Sequence, residues 1–308
     1  MEAVMVTGGN GFIGRHLVQA LLERGYYVYN AVRHSAGILQ DTENYTEILY
    51  DSYEMLCEKT EDISHSITCL YHLAWGGSSG TGRNDAALQL DNIHLVCDMV
   101  SFCRKKQIKR ILYAGSIAEY ECLKNITAGN ALYKGGGIYS AAKLAGHYMG
   151  EISAKSLEIQ YIPIIISNIY GVGENSPRFI NSIVRKMNTE DCIDFTAGKQ
   201  LQDFIYISDA IEMIIRIGEK GKAYKQYYIG NETQYPLKQF IKKMAKVLGY
   251  AGKLNFGAIP YHDIPLQFDE FNVHSFYEDF SYRPAVSFEK GIALLNSEIC
   301  DENVSGNR

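Results

Sequence analysis

A doubly wound parallel α/β sheet with a smaller C-terminal lobe is the fold class that three features of this sequence predict. Strand-like apolar runs alternate with helical stretches as far as residue 167, the rhythm of parallel βαβ units. The first run, Val4-Met5-Val6-Thr7, leads into Gly8, Gly11 and Gly14, spaced three apart, and into a stretch with Ile13, Leu17, Ala20 and Leu21 on one helical face. Beyond Asn168 the alternation loosens and the segments shorten.

The opening strand, turn and helix explain the rest of the order. Gly8 permits the turn, Gly11 lets backbone approach a pyrophosphate, and Gly14 lets helix and strand pack closely. Gly8, Gly11, Phe12, Ile13 and Gly14 would surround the phosphates of a dinucleotide at the free N–H groups of the helix start. The helix stops at Arg24-Gly25, a basic last turn followed by glycine. A second strand over 28–32 ends in Arg33-His34-Ser35. An acid here would bond a ribose 2′-hydroxyl, whereas an arginine accommodates a 2′-phosphate, so Arg33, His34 and Ser35 favour NADP(H) over NAD. A third strand over 48–51 places Asp51 near the adenine. A fourth over 67–74 puts His72 in the core and runs into Trp75-Gly76-Gly77-Ser78-Ser79-Gly80. That loop lies at the carboxyl edge of the sheet, where open α/β folds bind ligands.

Residues 85–103 read as a long helix and 110–114 as a fifth strand, followed by Gly115-Ser116. A polar, glycine-rich stretch over 125–137 precedes a helix through 138–147, and 161–167 is a sixth strand. Farther on, 177–187 is a helix, 204–207 a strand, 208–217 a helix, 227–229 a strand and 236–248 a helix, with a closing helix from Phe288. Tyr170-Gly171-Val172-Gly173 reads as a loop. The predicted division is a Rossmann domain over 1–167, to which 204–230 returns, and a lobe made of 168–203 and 231–308.

Composition narrows the function classes. A 46% hydrophobic fraction suffices for a packed core, and a net charge of −5 without a long basic run argues against a nucleic-acid partner. The longest apolar run, 161–166, is too short to span a bilayer, and the first strand begins at once, so neither a membrane partner nor a leader is expected. Seven scattered cysteines without a CxxC spacing read as reduced thiols rather than a disulfide frame or zinc site. The expectation is a cytoplasmic chain with no metal.

Tyr139 and Lys143 are four apart in a helical stretch and so share a face. A tyrosine hydroxyl ordinarily titrates near 10, and a neighbouring ammonium favours its phenolate. Such a pair can exchange a proton at a carbonyl–alcohol carbon while hydride passes to or from a nicotinamide. Ser116, at the end of the preceding strand, can bond the same oxygen. In a chain with 23 tyrosines the pair alone means little, but all three residues in order after a glycine turn carry weight.

These residues identify a resemblance. The chain resembles the extended short-chain dehydrogenase/reductases, in the nucleotide-sugar epimerase, dehydratase and reductase group. The likeness runs through Thr7-Gly8-Gly9-Asn10-Gly11-Phe12-Ile13-Gly14, His72-Leu73-Ala74, Gly115-Ser116 with Tyr120, Tyr139 with Lys143, Asn168-Ile169-Tyr170-Gly171, 203–209 and 282–288. It implies that Ser116 polarises the sugar oxygen, Tyr139 is the general acid/base, and Lys143 lowers its pKa and holds the nicotinamide ribose. It also implies that Leu73, Ala74 and Asn92 line the cofactor side, and that Asn168 contacts the substrate diphosphate. Family 4,6-dehydratases carry an Asp-Glu pair directly after the hydroxyl residue. Ile117-Ala118 stand here and Glu119 comes one position later, so dehydration is not expected. Where the family usually has an arginine before the Phe204 strand this chain has Gln202, so Arg178 is the candidate for the diphosphate, with Arg83 and Arg283 behind it.

The resemblance is strongest to bacterial nucleotide-sugar 4-ketoreductases. It implies NADPH-dependent reduction of the 4-keto group of a nucleotide-linked 4-keto-6-deoxy sugar for surface polysaccharide. An NAD-dependent epimerase and a non-catalytic NADP-binding sensor or scaffold are the alternatives. The family also implies a homodimer through the helices of 85–103 and Tyr139.

Overall fold

The computed structural model of the protein describes residues 1–37, 43–127, 137–261 and 265–305. Most of the polar stretch expected over 125–137 lies outside the described residues. The chain divides into two units, Met1–Ile166 with Ile211–Tyr228, and Ser167–Ala210 with Ile229–Arg308.

The first unit opens with β1 (Ala3–Thr7), buried along its whole length as a strand covered on both faces must be. Then come α1 (Phe12–Glu23), β2 (Tyr27–Val32), β3 (Tyr45–Leu49), α2 (Tyr53–Lys59), β4 (Ile67–His72), a 3-10 turn at Gly80–Asn84, α3 (Ala86–Lys105), β5 (Arg110–Ser116), α4 (Ala118–Thr127), α5 (Gly137–Ser156) and β6 (Gln160–Ile166). Asp85 starts α3 by accepting from Leu88 N–H at 3.1 Å, and Ser52 starts α2 by accepting from Met55 N–H at 3.2 Å. The strand expected over 48–51 begins earlier, because Tyr45 is buried and its hydroxyl accepts from Asn30 Nδ2 at 3.0 Å. Asp51 therefore sits just past the strand end. The two helices α2 and α4 escape sequence reading: α2 has only seven residues, and α4 is interrupted by the polar Glu119, Glu121, Lys124 and Asn125.

The second unit holds β7 (Asn168–Tyr170), α6 (Phe179–Met187), β8 (Cys192–Phe195), β9 (Leu201–Gln202) and β10 (Phe204–Tyr206). From it α7 (Ile207–Lys220) carries the chain into the first unit, and β11 (Tyr227–Ile229) takes the edge position beside β6. The remainder is β12 (Tyr235–Pro236), α8 (Leu237–Val247), β13 (Lys253–Phe256) and α9 (Phe288–Ser305).

The seven-stranded sheet has the order β11-β6-β5-β4-β1-β2-β3, and the pairs among β1 to β6 are parallel. It is the doubly wound α/β fold that the sequence predicts. Strand order reverses between β1 and β4, the switch point at which such sheets bind ligands. Register aligns the carboxyl ends there: Thr7 pairs with Ala31 and His72, His72 with Tyr113, and Ser116 with Ile166. No helix among the described residues is long and apolar enough to cross a membrane.

The returning segment is 211–228, shorter than the 204–230 expected. Residues 204–210 stay with the second unit because β10 pairs in parallel with β7, which takes in Asn168 and Ile169 and also Tyr170, the first residue of the expected 170–173 loop. Two buried carboxylates bind this region together. Asp203 accepts from Asn231 N–H at 2.7 Å and Asn231 Nδ2 at 2.6 Å. Asp209 accepts from Tyr282 O–H at 2.5 Å and from Ala285 and Val286 N–H at 2.9 Å each. Through Asp209 the motif segment 203–209 thus holds the segment 282–288 in place.

Asp209→Ala leaves two backbone N–H groups and a phenol without their acceptor, and the expected loss is about 2–3 kcal/mol. Urea unfolding measures it; Asp209→Asn, which keeps one acceptor oxygen, should lose less, and an unchanged midpoint for Asp209→Ala refutes the assignment.

Candidate active site

The glycine turn is built by close backbone approach. Gly8 has φ +77°, and a Cβ there would lie 2.7 Å from Ala74 N and 2.8 Å from Ala74 Cα. A Cβ on Gly14 would collide with Gly8 O and lie 2.7 Å from Gly9 Cα. Gly11 differs: it is exposed, and its Cβ would meet only Gly8 O, at 3.3 Å. Gly11 also starts α1 with no side-chain cap, so no capping side chain accepts from the N–H groups of the first turn. An uncapped helix start behind an open glycine fits a dinucleotide diphosphate. Gly8, Leu73 and Ala74 meet at the switch point, where Thr7 Oγ1 lies 2.8 Å from His72 Nδ1 and accepts from Ala74 N–H at 3.4 Å. Burial and the Lys143 charge drive His72 down to about 3, so its ring is neutral and belongs to the core.

Arg33, His34 and Ser35 follow β2 and are exposed. Asn10 Nδ2 donates to His34 O at 2.6 Å and ties them to the glycine turn. No ion pair engages Arg33 among the described residues. Asp51, also exposed, follows β3 on the same sheet edge.

The loop after β4 is pinned to α3 by two amides that sequence reading only half anticipates. Asn92, buried, accepts from Gly76 N–H at 2.7 Å and donates to Gly76 O at 2.9 Å. Its amide, expected on the cofactor side, is committed to the loop. Gln89 accepts from Trp75 Nε1 at 2.8 Å and donates to Gly76, Gly77 and Gly82 carbonyls at 2.9–3.2 Å. A glycine-rich loop needs such pins to hold one shape, and the signal was there: two amides three apart on a helix start.

The pinned loop delivers Trp75 to the reactive residues. Lys143 Nζ lies 3.6 Å from the Trp75 ring centroid and donates to Ala114 O at 2.8 Å. Trp75 also meets the Tyr139 ring edge-on at 6.2 Å, and the Arg83 guanidinium covers that ring at 4.0 Å. Lys143 Nζ is 6.0 Å from the Tyr139 centroid. Tyr139 and Lys143 are both buried, and desolvation lowers the ammonium to about 7, against an opposing pull from Glu119. Ser116, half-buried at the end of β5, accepts from Ala118 N–H through Oγ at 3.2 Å, which leaves its hydroxyl proton available to donate. The structure therefore packs Tyr139 and Lys143 with Trp75 and Arg83, and Ser116 lies in the same unit, two residues beyond the Ala114 carbonyl that Lys143 bonds.

Asn168 and Arg178 lie in the second unit. Asn168 Nδ2 donates to Gln202 Oε1 at 3.1 Å and Asp203 O at 3.0 Å. Arg178 is exposed at the start of α6, with Nε 3.6 Å from Glu174. Arg283 is the more committed cation, with Nε 3.4 Å from Glu232 and its guanidinium 4.5 Å from the Tyr277 ring centroid.

Comparison with known proteins finds likeness in sequence and in fold. The model of the NAD dependent epimerase/dehydratase family matches residues 4–230. The chain is 23% identical to a CDP-abequose synthase of Salmonella typhimurium over 306 residues, covering 96% of this chain and 97% of that protein. Among solved structures it is similar to a dTDP-glucose 4,6-dehydratase of Bacillus anthracis in complex with NAD, with TM-score 0.78, 16% identity and coverage of 99% and 98%. It is also similar to a UDP-glucose 4-epimerase of Thermotoga maritima, with TM-score 0.77, 20% identity and coverage of 98% and 99%.

Lys143 gives a pH test. Its folded value of about 7 lies below the ordinary 10.5, so between the two the unfolded chain holds a proton that the folded chain lacks. Raising pH through that window therefore favours the folded state, and the cost of the buried charge is complete below it. Lys143→Met should raise the urea midpoint more at about pH 7 than at about pH 9.5. A difference that does not vary across the window contradicts the buried charge.

Proposed function

The chain belongs to the NAD dependent epimerase/dehydratase family, enzymes of the extended short-chain dehydrogenase/reductase type, and on that premise we propose that it reduces the 4-keto group of a nucleotide-linked 4-keto-6-deoxy sugar with NADPH. The observation that carries the reduction is the pairing of buried Tyr139 and Lys143 on one helix with half-buried Ser116 at the carboxyl end of β5. The nucleotide-sugar substrate is supported by likeness to a CDP-abequose synthase across nearly the whole of both chains. Glu119 argues against dehydration: its carboxylate is bonded to Ser116 N–H and His147 and is not presented as a base.

When bound, the cofactor supplies the hydride. Ser116 keeps its proton and donates a hydrogen bond through its hydroxyl to the sugar carbonyl oxygen, which orients it. Tyr139 gives its phenolic proton to that oxygen as the alcohol forms, and the Lys143 ammonium stabilises the phenolate left behind. Trp75 and the Ala114 carbonyl keep Lys143 turned toward that role. Arg33, exposed and free of an ion pair among the described residues, suits a 2′-phosphate, which is the support for NADPH. Asn168 and Arg178 are proposed contacts of the substrate diphosphate.

A homodimer fits the same reading. Leu90 on α3 and Tyr148, Met149 and Ile152 on α5 are exposed at 56%, 54%, 48% and 66%, an apolar surface on two helices that pack side by side. Sedimentation at micromolar concentration should find a dimer, and Ile152→Glu a monomer; a monomeric wild type removes this part of the proposal.

Cofactor identity tests the reaction. The purified protein should release no nicotinamide and should bind NADPH at least about tenfold more tightly than NADH, with Arg33→Ala removing most of the difference. Tyr139→Phe should abolish reduction of CDP- and dTDP-4-keto-6-deoxyglucose while NADPH still binds. Stoichiometric, retained NAD would instead favour an epimerase, and equal turnover by wild type and Tyr139→Phe would end the catalytic assignment.

A further inference from the structure

We infer that Glu119 is a positioning residue for this reaction, clamping the Ser116 strand end to the Tyr139–Lys143 helix and setting a negative charge behind Lys143. The inference rests on the roles proposed above for Ser116, Tyr139 and Lys143.

The geometry is specific. Glu119, on the first turn of α4, is 2% exposed. One carboxylate oxygen accepts from Ser116 N–H at 2.9 Å. The other lies 2.7 Å from His147 Nδ1. His147 is one turn beyond Lys143 on α5 and also buried, with its ring 5.8 Å from Tyr113 and 6.5 Å from Tyr161. Its second nitrogen faces Glu151 at 3.7 Å. Room for the carboxylate exists because residue 115 is glycine: a Cβ there would sit 2.5 Å from Glu119 Oε1. A carboxylate removed from water is costly unless bonded and paired, and here both oxygens are.

The charges around Lys143 single out Glu119. From β4 comes His72, driven neutral by burial. From β5 come the Ala114 carbonyl and the Tyr113 phenol, the latter pushed well up and uncharged. The loop after β4 supplies the Trp75 ring, and α5 itself supplies Tyr139, whose ring Arg83 covers. Around the carboxylate, Tyr120 and Tyr161 are also raised by burial and by Glu119, and remain neutral. Glu119 is the anion that pulls Lys143 toward its protonated form.

The test compares Glu119→Gln, which keeps an acceptor for Ser116 N–H but loses the charge, with Glu119→Asp and Glu151→Gln. Protein labelled with 13C at lysine Cε, with the Lys143 signal assigned through Lys143→Arg, is titrated without substrate. The Lys143 midpoint should fall by about half a pH unit or more in Glu119→Gln and stay in place in Glu151→Gln. With NADPH and CDP- or dTDP-4-keto-6-deoxyglucose, kcat should fall by roughly tenfold or more in Glu119→Gln, with KM little changed and the alkaline limb of the pH profile moved to lower pH. Glu119→Asp should recover part of the loss. If Glu119→Gln does not fold, Glu119→Gln/His147→Gln supplies an uncharged hydrogen-bonded pair for the same measurements. A wild-type midpoint and wild-type kcat in the charge-free variant overturn the inference. Tyr139→Phe run in parallel separates the two ideas: if it turns over normally, the proposed reaction fails rather than the clamp.

Discussion

Lys143 carries an ammonium into the interior of the first unit, and its neighbours are arranged by what that charge requires. A cation removed from water must find a carbonyl, an aromatic face or an anion. It has all three in the Ala114 carbonyl, the Trp75 ring and, one layer behind, the Glu119 carboxylate. Each partner in turn fixes another part of the site. Trp75 stays in place only because Gln89 and Asn92 hold its loop, and Glu119 fits only because residue 115 lacks a side chain. Burial leaves the ammonium near neutrality, so modest changes of environment can change its protonation.

Sheet register supplies the second constraint. Thr7, Ala31 and His72 lie in register at or next to the ends of β1, β2 and β4, and β5 runs on past Tyr113, the partner of His72, to Ser116. The glycines serve that alignment through contact with one another and with the chain after β4. Gly8 presses against Ala74 and Gly14 against Gly8, whereas Gly11 is exposed, which suits a diphosphate. The second unit is stabilised differently, by the aromatic cluster of Tyr170, Phe204, Phe240 and Phe288 and by Asp203 and Asp209 acting as buried acceptors. The family motif that includes these aspartates is here a matter of folding, and of chemistry only through what the fold positions.

The sequence by itself determined the doubly wound sheet, the glycine turn and the placing of Tyr139 and Lys143 one turn apart on a helix. Those features rest on local periodicity and on short spacings, which a linear chain displays directly. It determined strongly periodic elements well and others poorly: α2 and β7 span too few residues to establish a period, polar residues interrupt α4, and 204–210 joined the second unit through a strand pairing invisible in one dimension. Only the tertiary structure decided that Trp75 lies over Lys143, that the Asn92 amide serves Gly76, and that Glu119 joins Ser116 to His147. Those partners stand 68, 16 and up to 28 positions apart. No local pattern encodes such pairings, because they are set by strand order and helix packing, which bring distant side chains to one edge of the sheet.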